Sequence, residues 1–188
     1  MDRAPYDFVK DASASELKRL DRFVHRTFNG QDLTDYVLCL RYLYHEHGGL
    51  EPVFQAGFAE GGKAAHAIQF FREILLSGKH RPHMRKHVAD PSAGSAAKRI
   101  NMFLRWMVRQ DNRGVDFGIW QNISPSMLSV PLDVHTGNIS RKLKLLRRKQ
   151  NDALAVDELD LELRKLDPTD PVRYDFALFG LGASGELE

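Results

Sequence analysis

The sequence predicts an all-α fold, and three observations lead to this prediction. In several segments the apolar residues recur at the three-to-four-residue spacing of a helix. The alternation of apolar and polar residues that is typical of a half-buried strand is nearly absent. Capping residues and glycines separate the apolar segments. With 188 residues, of which 43% are hydrophobic, the chain is expected to form a single helical domain over residues 1–188.

The first half of the chain contains three segments with helical patterning. Ser13 or Ser15 is the predicted N-cap of a helix that runs to about Phe23. A second helix is predicted where apolar residues form one stripe that stops at Gly48-Gly49. The stripe consists of Leu33, Tyr36, Val37, Leu40, Leu43 and Tyr44. Residues 64–76 repeat the pattern and predict a third helix.

A basic helix is predicted after Pro91, in the sequence SAGSAAKRINMFLRWMVR. Its apolar positions are expected to face the core, and these are Ile100, Phe103, Leu104 and Met107. The polar positions Lys98, Asn101, Arg105 and Arg109 are expected to line a different face. A long irregular insert containing Gly114, Gly118 and Trp120 follows this helix.

Two further helices are predicted in the last third of the chain. Asp133 stands at the N-cap position of the first, in which Ile139, Leu143 and Leu146 are expected to be buried. Asp170-Pro171 is a cap followed by an N1 proline, and it predicts a short apolar helix that ends at Gly180.

The charge distribution is uneven along the chain, although the net charge is only +2. Residues 79–149 contain fifteen Lys/Arg and four Asp/Glu, a local net charge of +11, and the remainder carries −9. A basic middle between acidic flanks favours a surface that binds a polyanion. The alternative is that the acidic flanks fold back on the basic segment and neutralise it.

Composition excludes several classes of site. Cys39 is the one cysteine, so the chain forms no internal disulfide and no all-cysteine metal or iron–sulfur site. His80, His83 and His87 contain a pair at i, i+4, but no acidic partner stands at ligand spacing, so no metal or other cofactor is predicted. The sequence has neither a signal-peptide pattern nor a membrane span, and a cytoplasmic location is expected.

Two motifs in the second half resemble helix-hairpin-helix DNA glycosylases. The run Leu132-Asp133-Val134-His135, followed by Ile139 and Lys142-Leu143, is similar to the glycosylase pattern (V/L)-D-x-H, then an aliphatic residue, then a basic residue and Leu. Pro91, Gly94 and Lys98 look like a reduced form of the hairpin signature P-G-x-G-x-K. The spacing of 35 residues from Lys98 to Asp133 is closest to that of archaeal 8-oxoguanine DNA glycosylases. The resemblance covers about residues 91–182.

The whole chain also resembles a bacterial domain-of-unknown-function family through the phrases HRTFNG, KRxNMFLRWMVR and DPVRYDFALFGLG. Members of that family carry further helices upstream of the position of Tyr6, so this resemblance implies that the chain lacks N-terminal helices. The hairpin departs from the glycosylase pattern, because Ser-Ala-Gly-Ser contains only one of its two glycines. Asn138 also replaces a basic residue of the pattern.

The glycosylase resemblance implies removal of a damaged base from duplex DNA, with abasic-site lyase activity. In that superfamily the hairpin lysine attacks the deoxyribose C1′ to form a Schiff base, and the aspartate stabilises the developing sugar cation and caps its helix. Carried over by position, these residues are Lys98 and Asp133. The DNA contacts predicted around them come from six residues: Gly94, Ser95, Arg99, Arg105, Arg109 and His135.

Two alternatives remain open from the sequence. One is a non-catalytic module that keeps the hairpin and uses it to hold a nucleic-acid backbone. The other is a helical interaction protein whose basic face meets an acidic protein.

Overall fold

A computed structural model describes residues 4–112 and 114–184, and its regular structure is almost wholly helical. The α-helices are α1 Pro5–Asp11, α2 Ala14–Lys18, α3 Gly30–Glu46, α4 Leu50–Gly61, α5 Ala64–Leu75, α6 Lys98–Val108, α7 Val134–Lys142, α8 Ala153–Leu166 and α9 Asp175–Ser184. Short 3-10 helices cover Arg19–Arg22, Pro82–His87, Pro91–Ala93, Pro125–Met127 and Pro171–Tyr174. The strands β1 Val24–His25 and β2 Phe28–Asn29 pair antiparallel. The all-α prediction is therefore confirmed.

The chain divides into two compact units, and the boundaries between them fall inside α4, inside α5 and between Val88 and Ala89. Unit 1 is formed by the described parts of Met1–Ala56 and Phe70–Val88. Unit 2 is formed by the described parts of Gly57–Gln69 and Ala89–Glu188. Within the two described stretches of the chain, no helix is both long enough and apolar enough to cross a bilayer.

Unit 1 contains a small apolar cluster in which α1 and α2 pack on α3. Ala12, Leu17 and Val37 are its buried members. The α3 side chain Arg41 donates from Nε to the carbonyl of Val9 and from Nη2 to the carbonyl of Ala12, each over 2.8 Å. These bonds satisfy carbonyls at the end of α1 that have no partner within that helix.

Unit 2 has a core that combines residues from α7, α8, α9 and the segment before α7. Its buried members are Val130, Leu132, Ile139, Leu146, Ala155, Val156, Leu159, Leu163 and Leu178. Asp160 is buried beside this core, where its Oδ1 accepts the backbone N–H of Val130 over 2.9 Å. The segment that leads into α7 is thereby fixed to α8.

Several predicted helix boundaries are confirmed. Ser13 caps α2 in a capping box with Glu16, although the α-helix ends at Lys18 and a 3-10 turn continues to Arg22. Helices α3 and α5 cover the two apolar stripes of the first half. Asp133 caps α7, where its carboxylate accepts the N–H of Thr136.

Four predictions about the second half are wrong. The buried face of α6 consists of Asn101, Leu104, Arg105 and Val108, so two of the polar positions predicted on another face point into the core. Leu143 is 46% exposed because α7 ends at Lys142 and the chain turns there. Helix α9 continues past Gly180 to Ser184. Asp170 makes no side-chain cap, because its carboxylate accepts a hydrogen bond from Arg109 instead.

Candidate functional site

Lys98 is the first residue of α6, and an irregular turn leads the chain into it. The Asp90 carboxylate accepts the N–H of Ala93 over 3.1 Å and closes the 3-10 turn Pro91–Ala93. Gly94 follows with a φ of 91°, a conformation that glycine adopts without strain. Ala97 also has a positive φ, of 46°, and it precedes Lys98 with no side-chain cap on α6. The helix therefore begins with amide groups that no capping side chain occupies.

Asp133 is held at the start of α7 by bonds to both its side chain and its backbone. Its Oδ1 accepts the N–H of Thr136 over 2.8 Å, which is the N-cap bond. Its carbonyl accepts from Gly137 in the helix and from Asn151 Nδ2, each over 2.9 Å. Asn151 is itself held by Arg141, whose Nη2 donates to its Oδ1 over 2.6 Å. These contacts leave Oδ2 of Asp133 to face α6.

The two residues lie side by side, 35 positions apart in sequence. Lys98 Nζ donates to Asp133 Oδ2 over 3.1 Å. The Lys98 side chain is 47% exposed, whereas that of Asp133 is 10% exposed. Partial burial would raise the pKa of Asp133, but the Thr136 N–H and the Lys98 ammonium together hold it below its ordinary value. Asp133 is therefore an ionised carboxylate with a cationic amine beside it, at the edge of solvent.

Arg105, predicted to contact DNA, lies in an ion-pair cluster inside unit 2. Its side chain is 1% exposed, and its guanidinium donates to Asp175 over 2.5 Å and to Asp116 over 3.3 Å. The guanidinium also stacks 4.0 Å from the ring centroid of Phe176. An enclosed side chain cannot reach a phosphate backbone, so the prediction of an exposed Arg105 is wrong.

Arg109 belongs to the same cluster and is also removed from the predicted DNA contacts. Its Nη1 donates to Asp116 over 2.6 Å and to Asp111 over 2.8 Å, and its Nε donates to Asp170 over 2.9 Å. Burial alone would lower the pKa of Arg109, but the three carboxylates raise it well above its usual range. Because its N–H groups are bound by three carboxylates, the Arg109 guanidinium stabilises the fold. We call these two arginines and their four aspartates the arginine–aspartate cluster.

Asp175 is a carboxyl of this cluster with a raised pKa. Burial raises its pKa to about 6, and the negative charges of Asp133 and Asp116 act in the same direction. The charge of Arg105 opposes this shift. The electrostatic coupling between Asp133 and Asp175 links the Lys98–Asp133 pair with the arginine–aspartate cluster.

The remaining predicted DNA contacts lie at the surface of unit 2. Gly94 and Arg99 are exposed, and a side chain added at Gly94 would meet open space. Ser95 is half-buried, and its hydroxyl accepts the N–H of Ala97 over 3.2 Å. His135 is exposed, and its Nδ1 lies 3.0 Å from the carbonyl of Gly182 in α9. Since a carbonyl only accepts, that ring nitrogen carries the proton and His135 joins α7 to α9.

A cluster of one carboxylate and two histidines in unit 1 was not predicted from the sequence. The buried carboxylate of Asp32 lies 2.6 Å from His83 Nδ1 and 3.3 Å from His87 Nε2. No acidic residue stands at ligand spacing in the sequence, and the folded chain supplies this carboxylate from α3. Asp32 and His83 are 51 residues apart in sequence, and no local spacing signals their contact.

Comparison with known proteins gives one finding about the family. A family model described as "Protein of unknown function (DUF2400)" matches residues 1–184. No curated protein and no solved structure matches the chain.

Proposed function

The chain belongs to the DUF2400 family, and we propose that it is a DNA glycosylase with abasic-site lyase activity that uses Lys98 and Asp133. One observation carries this proposal. An amine that opens α6 and a carboxylate that caps α7 lie 3.1 Å apart at the edge of solvent. Removing a base through a covalent intermediate requires a nucleophile and a negative charge at the same sugar carbon.

The proposed reaction exchanges one bond at the deoxyribose C1′ for another. The damaged base leaves with the electron pair of its bond to C1′, and Lys98 Nζ forms a new bond to that carbon. The proton that Nζ loses passes through Asp133 Oδ2 to the leaving base. The C1′–O4′ bond then opens with its electron pair on O4′, which takes a proton from the lysine nitrogen. The lone pair of that nitrogen completes the C=N bond of a protonated Schiff base. Borohydride reduces this intermediate by adding hydride to the carbon, which leaves a stable amine between the protein and the DNA.

Asp133 has a second role in this proposal, which is electrostatic. Positive charge develops on the sugar as the base departs. A carboxylate fixed in place before the reaction stabilises that charge without having to reorganise. The bonds from Thr136 N–H and Lys98, which hold the pKa of Asp133 low, also keep this carboxylate ionised and oriented.

The proposed DNA contacts surround Lys98 and Asp133 on unit 2. The uncapped start of α6 presents backbone N–H groups, and such helix termini bind phosphate without reading sequence. Arg99, Gly94 and Ser95 adjoin this start, and His135 lies in the first turn of α7. A set of exposed basic residues begins at the last residue of α7 and continues after that helix, and we call it the basic segment: Lys142, Lys144, Arg147 and Lys149.

The glycosylase-like fold is part of the proposal, and the chain departs from it in one respect. Within the described residues between α5 and α6, the chain forms the 3-10 helices Pro82–His87 and Pro91–Ala93 and no α-helix. The first helix of a helix-hairpin-helix is therefore absent in its usual form. The uncapped start of α6, by contrast, supports the second candidate, a non-catalytic module that holds nucleic-acid backbone there.

Covalent trapping separates the two candidates. Full-length protein is incubated with an abasic duplex and sodium borohydride, and the complex is resolved on a denaturing gel. We expect wild type to form a covalent complex and Lys98→Gln to form none. Lys165→Gln is the matched control, because Lys165 also pairs with a carboxylate, Glu162, over 2.6 Å on the surface of unit 2.

Asp133→Asn tests the electrostatic role separately. Asn caps a helix about as well as Asp, so folding is retained. Release of 8-oxoguanine from a duplex should slow by about 100-fold or more, the effect of losing one preorganised electrostatic group.

If Lys98→Gln traps as well as wild type, Lys98 is not the nucleophile. If wild type binds the duplex but never traps, the binding-module candidate replaces the enzyme.

A further inference from the structure

A buried carboxylate and two imidazoles meet in unit 1. The cluster consists of Asp32 in α3 with His83 and His87 in the 3-10 helix Pro82–His87. One ligand atom from each residue lies within 4.8 Å of the other two. Asp32 has no exposed side-chain surface, and the two imidazole rings are 5.2 Å apart between centroids.

We propose that Asp32, His83 and His87 bind a divalent transition-metal ion of the zinc class. Neutral imidazole nitrogen and carboxylate oxygen are the ligands that such ions prefer, whereas Mg²⁺ and Ca²⁺ select oxygen. Two ligands of one tetrahedral zinc ion lie about 3.3 Å apart, since each bond is about 2.0–2.1 Å. The separation between Asp32 Oδ2 and His87 Nε2 is 3.3 Å.

His87 supplies an independent reason for the proposal. Its Nε2 is buried and makes no hydrogen bond to any residue that the structure describes, although it faces Asp32 Oδ2. The ring of Phe28 packs edge-on at 4.7 Å from the His87 ring and covers it. A buried polar atom without a hydrogen bond costs free energy, and coordination of a metal would satisfy it.

The backbone around Asp32 makes this cluster rigid. Asp32 is the N3 residue of the capping box that begins α3, and its Oδ2 accepts the Asn29 N–H over 3.0 Å. A side chain at Gly30 would overlap the carbonyl oxygen of Leu20, so glycine lets the chain pass closely at this point. The carboxylate is thus placed before any ion arrives, and ordering it at binding costs little entropy.

Neighbouring charges leave the cluster able to accept a cation. Arg81 Nη2 lies 3.6 Å from Asp32 Oδ1, which opposes a metal ion. Its Nε, however, donates to Asp35 Oδ2 over 2.8 Å, so a second carboxylate compensates that charge. Asp32, Asp35 and Arg81 together carry one net negative charge.

The exposure of His83 determines which type of metal site this would be. Its side chain is 44% exposed, whereas that of His87 is 12% exposed. Three protein ligands with one side open to solvent leave a coordination position for water or a substrate. The 2.6 Å contact between His83 and Asp32 must lengthen by about 0.7 Å to admit zinc. The exposed His83 ring can rotate to provide this space.

Titration calorimetry with ZnCl₂ on tag-free, full-length protein tests the proposal. We expect one Zn²⁺ per chain, and His83→Ala, His87→Ala or Asp32→Asn should weaken binding by at least about 100-fold. This loss exceeds the 10–100-fold typical of a residue outside the coordination sphere. Visible absorption of the Co²⁺-loaded protein should lose its ligand-field bands in the same variants. MgCl₂ should give no heat of binding.

His80→Ala is the matched control, because His80 belongs to the same histidine-rich stretch but contacts the Gly78 carbonyl instead. It should bind Zn²⁺ as wild type does. His83→Ala tests the proposal even if the other variants unfold, because the half-exposed ring of His83 contributes little to packing. Wild type that binds no Zn²⁺, or His83→Ala that binds as tightly as wild type, overturns the proposal.

Discussion

At the scale of single residues, Asp175 links burial to a dependence of stability on pH. Burial raises the pKa of this carboxyl from its ordinary 3.8 to about 6. The folded chain then binds the proton more tightly than the unfolded chain, so the free energy of unfolding falls as the pH rises through that range. Asp175→Asn removes this titration but keeps an oxygen that accepts from Arg105. Between pH 4 and 7, wild type should lose on the order of 3 kcal/mol of stability relative to this variant.

Urea denaturation of both proteins at several pH values measures this difference. Asp157→Asn is the control for loss of a surface carboxyl, because Asp157 is exposed and lies outside the arginine–aspartate cluster. A wild-type protein that gains stability over Asp175→Asn with rising pH would show that Arg105 outweighs burial at this carboxyl.

The contrast between Lys98 and Arg105 shows which residues can be placed from sequence. The resemblance put Lys98 and Asp133 at one site, and the structure brings them within 3.1 Å, while their roles stay a prediction. Arg105 was placed on the surface because helical patterning treats every arginine as polar. Its burial depends on Asp116 and Asp175, which come from a loop and from α9. The contact between Asp32 and His83 was not predicted for the same reason, because only folding brings these two residues together.

At the scale of secondary structure, α6 is a helix whose buried face is partly polar. Leu104 and Val108 pack in the core, but Asn101 and Arg105 lie on the same side. Asn101 is accommodated because its Nδ2 donates to the Ala96 carbonyl over 3.0 Å. Arg105 is accommodated by the arginine–aspartate cluster. The orientation of α6, and with it the position of Lys98, therefore depends on buried ionic bonds.

Arg105→Ala tests this dependence. The substitution leaves Asp116 and Asp175 buried with less positive charge beside them, and breaking such a pair costs about 3–5 kcal/mol. We expect the free energy of unfolding to fall by about that amount in chemical denaturation at pH 7. Arg99→Ala, six residues earlier in α6 and exposed, should change it by less than about 0.5 kcal/mol. Equal effects of the two substitutions would mean that the cluster does not support α6.

Helices with one apolar face were predictable, and helices with other patterns were not. Helices α3 and α5 bury continuous apolar stripes, so spacing alone located them. Helix α8 was not predicted, although Asp152 caps it and its buried residues recur at helical spacing. The pattern is obscured because Leu154, Leu161 and Leu166 are apolar residues on its exposed face. Gly180 was taken as the end of α9, but glycine ends a helix only where the chain must turn, and α9 continues through it.

At the scale of the whole molecule, the sequence left open whether the basic middle segment is exposed or neutralised. Within unit 2 both occur. The arginine–aspartate cluster neutralises Arg105 and Arg109, and Asp152 pairs with Arg148 over 2.5 Å. The basic segment, by contrast, is exposed. On unit 2 a polyanion could therefore meet the exposed residues of this segment and Arg99, but not Arg105 and Arg109, the other two arginines first predicted.

This division of charge leads to a prediction about DNA binding. We expect the protein to bind duplex DNA with little sequence preference and with an affinity that falls steeply between about 50 and 200 mM salt, because each neutralised phosphate releases counterions. Lys144→Glu combined with Lys149→Glu should lower the affinity and reduce the slope of log K against log salt by about two. Fluorescence anisotropy with a labelled duplex measures both quantities. Lys165→Glu, an equally exposed lysine on α8, should leave both unchanged. If the double variant binds like wild type, or if salt has no effect, the basic segment is not the DNA-binding surface.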